Sequence, residues 1–394
     1  MIFRQDFHAL IALTLAGCVV VTPARALVSL NEGRDRIYVS GSFGVTHDSN
    51  VFAASSGAGD FIYSSGVSAE YSRRAGWIGL NANVAISAGH FGVIRGQDFN
   101  DPSIGVELTK QTGRTTGSLT LHAARESRAD AAVNTRVSSW NYSAGLNTKY
   151  HIAGNYDLAG QFGFSLHKYA EETIFSNLAS YSAGLDLFHV LSTERDVILG
   201  YRYRLSETSR DTNSADHAFT GGVHGKVLRG ISGTLRAGYQ LRVPSGGGTV
   251  ARKTYQSWTG SAAVSYAITK TISISGQLSK DFSTTASDAS VDTLMASLDG
   301  QYAYSSHWSF SSSLGWGDSQ FLGQSGRVIL DVGPPPLLGP SRHDNYLTWN
   351  LSGGYTFNEH LKLGLSHVQF KNWSTSSFAD FVRSSWSFSL SSRW

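Results

Sequence analysis

From Arg36 to Trp394 the chain alternates apolar and small polar residues with a period of two, segment after segment. Ile37, Val39, Phe43 and Val45 alternate with Tyr38, Ser40, Ser42, Gly44 and Thr46. Ile78, Leu80, Ala82, Val84 and Ile86 stand against Gly79, Asn81, Asn83, Ala85 and Ser87. Near the end, Leu347, Trp349, Leu351 and Tyr355 stand against Thr348, Asn350, Ser352 and Thr356. This period predicts half-buried strands, about eighteen of them with bounds of roughly sixteen to twenty. Pro102 and Pro244 read as strand-edge residues, and Pro334, Pro335, Pro336 and Pro340 fall together in one connection.

The connections themselves alternate in length. Short turns are expected at Arg73–Gly76, Gly113–Thr115, Thr269–Thr271, Ser305–His307 and Asn358–His360. Longer polar stretches lie between, at Asp48–Asp60, Glu126–Arg136, Glu207–Asp216, Pro244–Lys253 and Ser319–Asp344. An all-β, up-and-down antiparallel barrel of the outer membrane has this asymmetry, with short periplasmic turns and longer surface loops. An even strand count places both ends of the barrel on the short-turn side. No apolar run after the first thirty residues approaches the ~20 residues that a membrane helix needs.

Aromatic spacing is a second, independent signal. Tyr142/Tyr150, Trp258/Tyr266, Trp308/Trp316, Trp349/Phe357 and Trp386/Trp394 each lie eight residues apart on the apolar parity of one segment. Eight residues span roughly 26 Å along a strand, or about 20 Å of depth after a ~40° tilt. Two aromatic girdles bracketing an apolar band account for that spacing. The final segment puts Trp386, Phe388, Leu390 and Trp394 on one parity. It resembles the aromatic-ended signal read by the barrel assembly machinery, where Phe is commoner than Trp. The partners this implies are outer-membrane lipids and that machinery.

Composition sharpens the picture. Charged residues make up 15% of the chain, below the roughly 25% of soluble proteins. Mean hydropathy is nevertheless −0.15, because Ser, Thr, Asn and Gln fill the polar positions. Residues 1–26 read as an export signal: Arg4, the apolar stretch Ala9–Val21, then Ala24-Arg25-Ala26 as a cleavage site. Residues 27–394 then form a single barrel domain. A competing reading takes Leu15-Ala16-Gly17-Cys18 as a lipoprotein box with Cys18 lipidated, although the apolar stretch runs on past it. Cleavage after Ala26 leaves a chain without cysteine and a net charge of +2, too small for nucleic-acid binding.

If the apolar parity faces lipid, the other parity lines a wet lumen. Its charges are unevenly spread. Arg202 and Arg204, His224 and Lys226, then Arg236 and Arg242 come from three consecutive segments. Glu70 and Glu107 lie earlier, and Asp186 and Asp299 border the basic stretch. One expectation is a basic wall facing an acidic one, with a preference for anions; the other is that the arginines pair with nearby carboxylates and hold the wall's shape. The connection Ser319–Asp344, stiffened by its prolines, is expected either as an exposed loop or as a constriction folded into the barrel.

No His-Glu-x-x-His, Gly-x-Ser-x-Gly or metal-type His/Cys/Asp cluster occurs in the sequence, so neither an enzyme nor a cofactor is expected. His122 and His167 point inward without an obvious nucleophile nearby. Asp281 and Asp288 could hold a cation only loosely. The first strand and its exit, Phe43-Gly44-Val45-Thr46-His47-Asp48-Ser49-Asn50-Val51-Phe52, resemble the opening motif of the outer-membrane β-barrel porin family that includes the EpsL-like proteins of exopolysaccharide gene clusters. Leu199-Gly200-Tyr201-Arg202-Tyr203, followed by Ser206–Asp211, resembles that family's Tyr-rich mid-barrel strand and polar loop. The resemblance implies an outer-membrane barrel linked to a polysaccharide export complex. The functions expected are therefore an export pore for an envelope polysaccharide, a diffusion porin for small anions, or a structural or adhesive barrel with a closed lumen.

Overall fold

The computed structural model describes residues 28–30, 34–73, 76–171, 173–210, 213–228, 230–245, 253–287, 289–322 and 342–394. The export signal expected over 1–26, Asp288 and the proline stretch 333–340 lie outside the described residues. A short strand, β1 (Val28–Leu30), pairs with the start of the next one. Eighteen strands then carry the barrel: β2 (Asp35–Asp48), β3 (Asp60–Arg73), β4 (Gly79–Phe91), β5 (Phe99–Lys110), β6 (Thr115–Asp130) and β7 (Thr135–Ala153). They continue as β8 (Tyr156–Tyr169), β9 (Leu178–Ser192), β10 (Arg195–Thr208), β11 (Asn213–Leu228), β12 (Ile231–Ser245) and β13 (Tyr255–Ala267). The last six are β14 (Ile272–Thr284), β15 (Ser290–Ala303), β16 (Trp308–Leu322), β17 (His343–Thr356), β18 (Leu361–Ser374) and β19 (Phe381–Arg393). Each pairs antiparallel with the next, and β19 returns to β2 from Ser385↔Asp48 to Arg393↔Ser40. Trp394 extends that closure, donating to and accepting from the Val39 backbone at 2.8 and 2.9 Å.

Period-two alternation becomes two faces of one cylinder. Cross-strand partners share a face, so Tyr201, Phe219 and Tyr239 form an outward row, at 37%, 61% and 49% exposure. Apolar side chains that bare would be costly in water and are at home in lipid. The girdle residues lie on the same face: Tyr142, Trp258, Trp316, Trp349 and Trp386 toward the long connections, and Tyr150, Tyr266, Trp308, Phe357 and Trp394 toward the short turns. Phe388 and Leu390 sit opposite Val45 and Phe43 in the closing ladder. Tight turns use glycine at positive φ, at Gly76, Gly113, Gly154 and Gly230, where an L side chain is strained.

Two details differ from the sequence reading. Strands run from 12 to 19 residues, longer than the ~9–11 needed to cross a bilayer, so they project beyond it. The connections read at Glu126–Arg136 and Glu207–Asp216 consequently shrink to 131–134 and 209–212. Pro102 is not at an edge but within the β4–β5 ladder, opposite Ile86. The β5–β6 ladder begins only at Ser103↔Ala124, so its missing N–H falls where no partner strand has joined.

Burial is lopsided. Val51, Phe91, Val137, Tyr169, Phe175, Phe282, Val291, Phe321 and Phe381 are buried, and all lie at the loop end of the barrel. Inward positions toward the turns, such as Thr120, Ser265, Gln277, Gln301, Ser309 and Ser389, are exposed. The lumen is therefore a packed core on the loop side and a wet vestibule over most of the turn side, where Ile198 is the one buried apolar side chain among the described residues.

Leu298 lies midway between the girdles on the outward face. Leu298→Arg should destabilise the refolded barrel by about 2–4 kcal/mol, whereas Arg at the inward neighbour Ser297 should cost within about 1 kcal/mol. Equal unfolding midpoints in urea for the two variants would contradict this assignment of faces.

Candidate functional site

The β-ladder opens at the loop end of the β13–β14 seam, as it also does between β5 and β6. β13 and β14 pair from Ala267↔Ser273 only as far as Gly260↔Lys280. Beyond that point Tyr255–Thr259 remain paired with β12, and Asp281–Thr284 with β15, so the two strands fork. Side chains from across the wall reach three β14 carbonyls here, of which Phe282 O lies on the freed edge. Thr259 Oγ1 donates to Lys280 O at 2.9 Å, Arg204 Nη2 to Phe282 O at 2.5 Å, and Arg242 Nη1 to Ser283 O at 2.7 Å.

Register explains how the arginines reach. Arg204, Asp216 and Arg242 are direct cross-strand neighbours on β10, β11 and β12. Asp216 accepts from Arg204 Nε and Nη2 at 2.9 and 2.6 Å, and from Arg242 Nε and Nη2 at 2.7 and 2.8 Å. Arg242 is fully buried, with its guanidinium 5.2 Å from the Phe282 ring centre. Asp281 bridges Arg202 Nη2 at 2.8 Å and Arg204 Nη1 at 3.2 Å. Below them Arg236 grips Asp186 with both Nη atoms, at 2.7 and 3.0 Å, across the two intervening strands. That crossing requires a bare wall: a Cβ on Gly200 would lie 2.2 Å from Asp186 Oδ1. Four arginines and three aspartates leave this group with a net charge of +1.

A cavity of about 350 Å³ opens beneath the fork, lined among others by Arg202, Arg236, Asp186, Asp281, Thr220 and Ser261. Its volume falls in the range of small-ligand sites. The other charged positions singled out in the sequence lie elsewhere. His224 bonds its row neighbour Thr234 at 2.8 Å, and Lys226 pairs with Glu194, both near the turns. Glu70 pairs with Arg393 at 2.9 Å. Glu107 stands between Asn81 and Thr120, and Asp299 lies 3.5 Å from Ser297 Oγ.

Above the seam the loops reach across the mouth. Arg342, buried and paired with Asp344, donates from Nη1 to Ala132 O at 2.8 Å and from Nη2 to Ala131 O at 3.0 Å, bonding the β16–β17 connection to the β6–β7 turn on the far side. Its guanidinium also lies 4.6 Å from the Phe321 ring and 5.5 Å from Phe378. Asn134 Nδ2 donates to Ala53 O, Ser55 N to Phe378 O, and Ser176 N to Ala286 O. Four more loops are thereby tied in, β2–β3 to both β6–β7 and β18–β19, and β8–β9 to β14–β15.

Sequence reasoning found the arginines but not the fork or the cap. A signal for the fork exists: alternation fails at Lys280, a cation on the lipid parity just before Asp281. The cap is announced by Phe91, Phe321 and Phe381, aromatics on the otherwise polar inward parity. Among the described residues no group of three or more His, Cys, Asp or Glu is placed to hold a metal ion.

No protein-family model and no curated protein matches the sequence. Solved structures similar in shape include OccAB4 from Acinetobacter baumannii (10% identity, 92% of this chain and 98% of that one, TM-score 0.47). Others are OccK2 (OpdF) from Pseudomonas aeruginosa (12%, 91% and 97%, 0.46) and the siderophore receptor PirA from the same organism (8%, 91% and 80%, 0.43). The architecture rests on the chain's own ladder and outward apolar face: an eighteen-stranded channel barrel of the outer membrane.

Asp216→Ala should cost about 3–5 kcal/mol, because it strands two guanidinium groups, one of them fully buried. Chemical unfolding of the detergent-refolded barrel measures it; a loss under about 1 kcal/mol would show that Asp216 does not anchor the row.

Proposed function

We propose that this barrel is an exit channel for an envelope or extracellular polysaccharide, closed at rest on its outer side. The observation that carries the reading is the direction of closure. The vestibule is wet and exposed where the short turns lie, on the periplasmic side, and the packed core and tied loops lie on the other. A cargo arriving from the periplasm finds an open, hydroxyl-rich entrance, while one arriving from outside meets Arg342, Phe321 and the loops around them. Support also comes from the resemblance of Phe43–Phe52 and Leu199–Tyr203 to the EpsL-like barrels. A second reading, a diffusion porin for small anions, is favoured by the net positive charge of the seam.

Conductance separates the two. In a planar bilayer under a KCl gradient the unaltered barrel should show only small steps, far below those of an unobstructed lumen of eighteen strands. Arg342→Ala combined with Phe321→Ser should loosen the cap and enlarge the steps several-fold. Large anion-selective steps from the unaltered barrel would favour the porin. In the native host, deleting the gene should trap polymer in the periplasm; undiminished secretion would overturn the export reading.

A further inference from the structure

We propose that the recess beneath the β13–β14 fork is a binding site for an acidic sugar unit, a ring that carries several hydroxyls and one carboxylate. The inference deepens the export reading and rests on it for its cargo class. Its first support is the unequal engagement of the two arginines. Arg236 has both Nη atoms on Asp186 and its side chain is 22% exposed. Arg202 reaches Asp281 through Nη2 alone, and its side chain is 42% exposed. The rest of the Arg202 guanidinium faces the cavity, and a planar fork of N–H donors matches a carboxylate in two-point geometry.

The second support is the set of hydroxyls around it. Thr220, Ser261 and Ser279 line the same cavity, and their side chains have no hydrogen-bond partner among the described residues. A hydroxyl donates once and accepts twice, as vicinal sugar hydroxyls require of their partners. The cavity has room for a ring because the wall is pared down to Gly184, Gly200 and Ala218.

The third support selects between ligand classes. Asp186 and Asp281 border the recess, so a bare anion approaching Arg202 also meets two carboxylates of its own sign. A neutral sugar satisfies the carboxylates and hydroxyls but offers only uncharged acceptors to the Arg202 donors that Asp281 does not reach. A ligand that flanks its carboxylate with hydroxyl donors answers both demands: the carboxylate to Arg202, the hydroxyls to Asp281 and the serines. Charge and hydroxyls are needed together.

Calorimetric titration of the detergent-refolded barrel with sodium glucuronate, glucose and sodium sulfate tests this. Saturable glucuronate binding is expected, about tenfold or more tighter than either glucose or sulfate. Arg202→Gln should weaken glucuronate binding about tenfold and leave glucose unaffected. The double variant Ser261→Ala/Ser279→Ala keeps every charge and should weaken it several-fold, which covers the case in which Arg202→Gln fails to fold. Binding of sulfate as tight as glucuronate would reduce the site to charge alone; equal binding of glucose would remove Arg202 from it. No saturable binding of glucuronate would overturn the proposal. A host strain that still secretes its polymer without this gene defeats the export reading and leaves the binding result standing; lost binding with intact dependence on the gene does the reverse.

Discussion

Inside a bilayer no water is available to a bare N–H or C=O, so a sheet can cross only by closing on itself. The fold depends on that requirement, from the return of β19 to β2 down to the Trp394–Val39 pair that finishes the ladder. The fork between β13 and β14 is where the requirement is met by other means. An unpaired buried carbonyl costs about 1–3 kcal/mol, and the edge of β14 past its last rung with β13 presents one at Phe282, where Arg204 stands in for the missing strand. Thr259 and Arg242 add bonds to the neighbouring carbonyls of Lys280 and Ser283. The fork begins next to Trp258, at the loop-side girdle, where the outward Lys280 lies 5.7 Å from the Trp258 ring and pairs with Asp292 at 2.5 Å. A cation is tolerable there because Asp292 pairs with its head, the two side chains being largely buried together.

The arginine row fixes register as well as closing the edge. Buried ion pairs add little net stability once desolvation is counted, but removing one partner is costly. Here the row has a geometric consequence. Arg204, Asp216 and Arg242 are opposite one another only in the observed alignment, and a one-residue slip of β11 would turn Asp216 toward lipid and leave two arginines without it. Gly, Ser and Thr make up 10 of the 31 residues of the β11–β12 hairpin and carry little information about its pairing. Three charges that must meet supply what those residues do not.

Much of this was legible in the sequence. Strand count, turn-and-loop asymmetry, girdle parity and the inward direction of the arginines all follow from a period of two, which is local. The Arg204–Asp216 pair is nearly local too, since the two residues face each other across one hairpin. Asp281 was not legible as their partner: it lies 77 residues from Arg204, and only the curvature of the wall and the inward lean of β14 bring them together. The strand extensions at Ser127–Asp130 and Thr135–Val137 were missed because polar residues above the membrane band lose the apolar half of the alternation. The loop-side core went unread for a different reason. Phe91, Phe321 and Phe381 obey the inward parity, and reading that parity as uniformly polar hid them; Phe282 has the parity of outward Leu278 and is enclosed beyond the point where β13 and β14 part.

The hairpin tip of β14 and β15 belongs to both halves of the site. Asp281, Phe282 and Ser283 are held from below by Arg202, Arg204 and Arg242, while Ala286 accepts from Ser176 of the β8–β9 loop above. The hydrophobic cluster of Val137, Tyr169, Phe175 and Ala286 seals that upper contact. The recess and the cap therefore share one structural element rather than merely one lumen. A ligand that competes with Asp281 for Arg202 alters how that element is held, and it shifts the cap only in so far as it binds more tightly with the tip displaced. The lower bonds are charge-assisted and exchangeable with hydroxyls or water, whereas the upper contact is apolar. The contacts that hydroxyls or water can replace thus face the vestibule, and the apolar contacts of Phe175 face the loops. That arrangement suits a channel entered from the periplasm, because the contacts easiest to replace face the arriving cargo and the hardest face away.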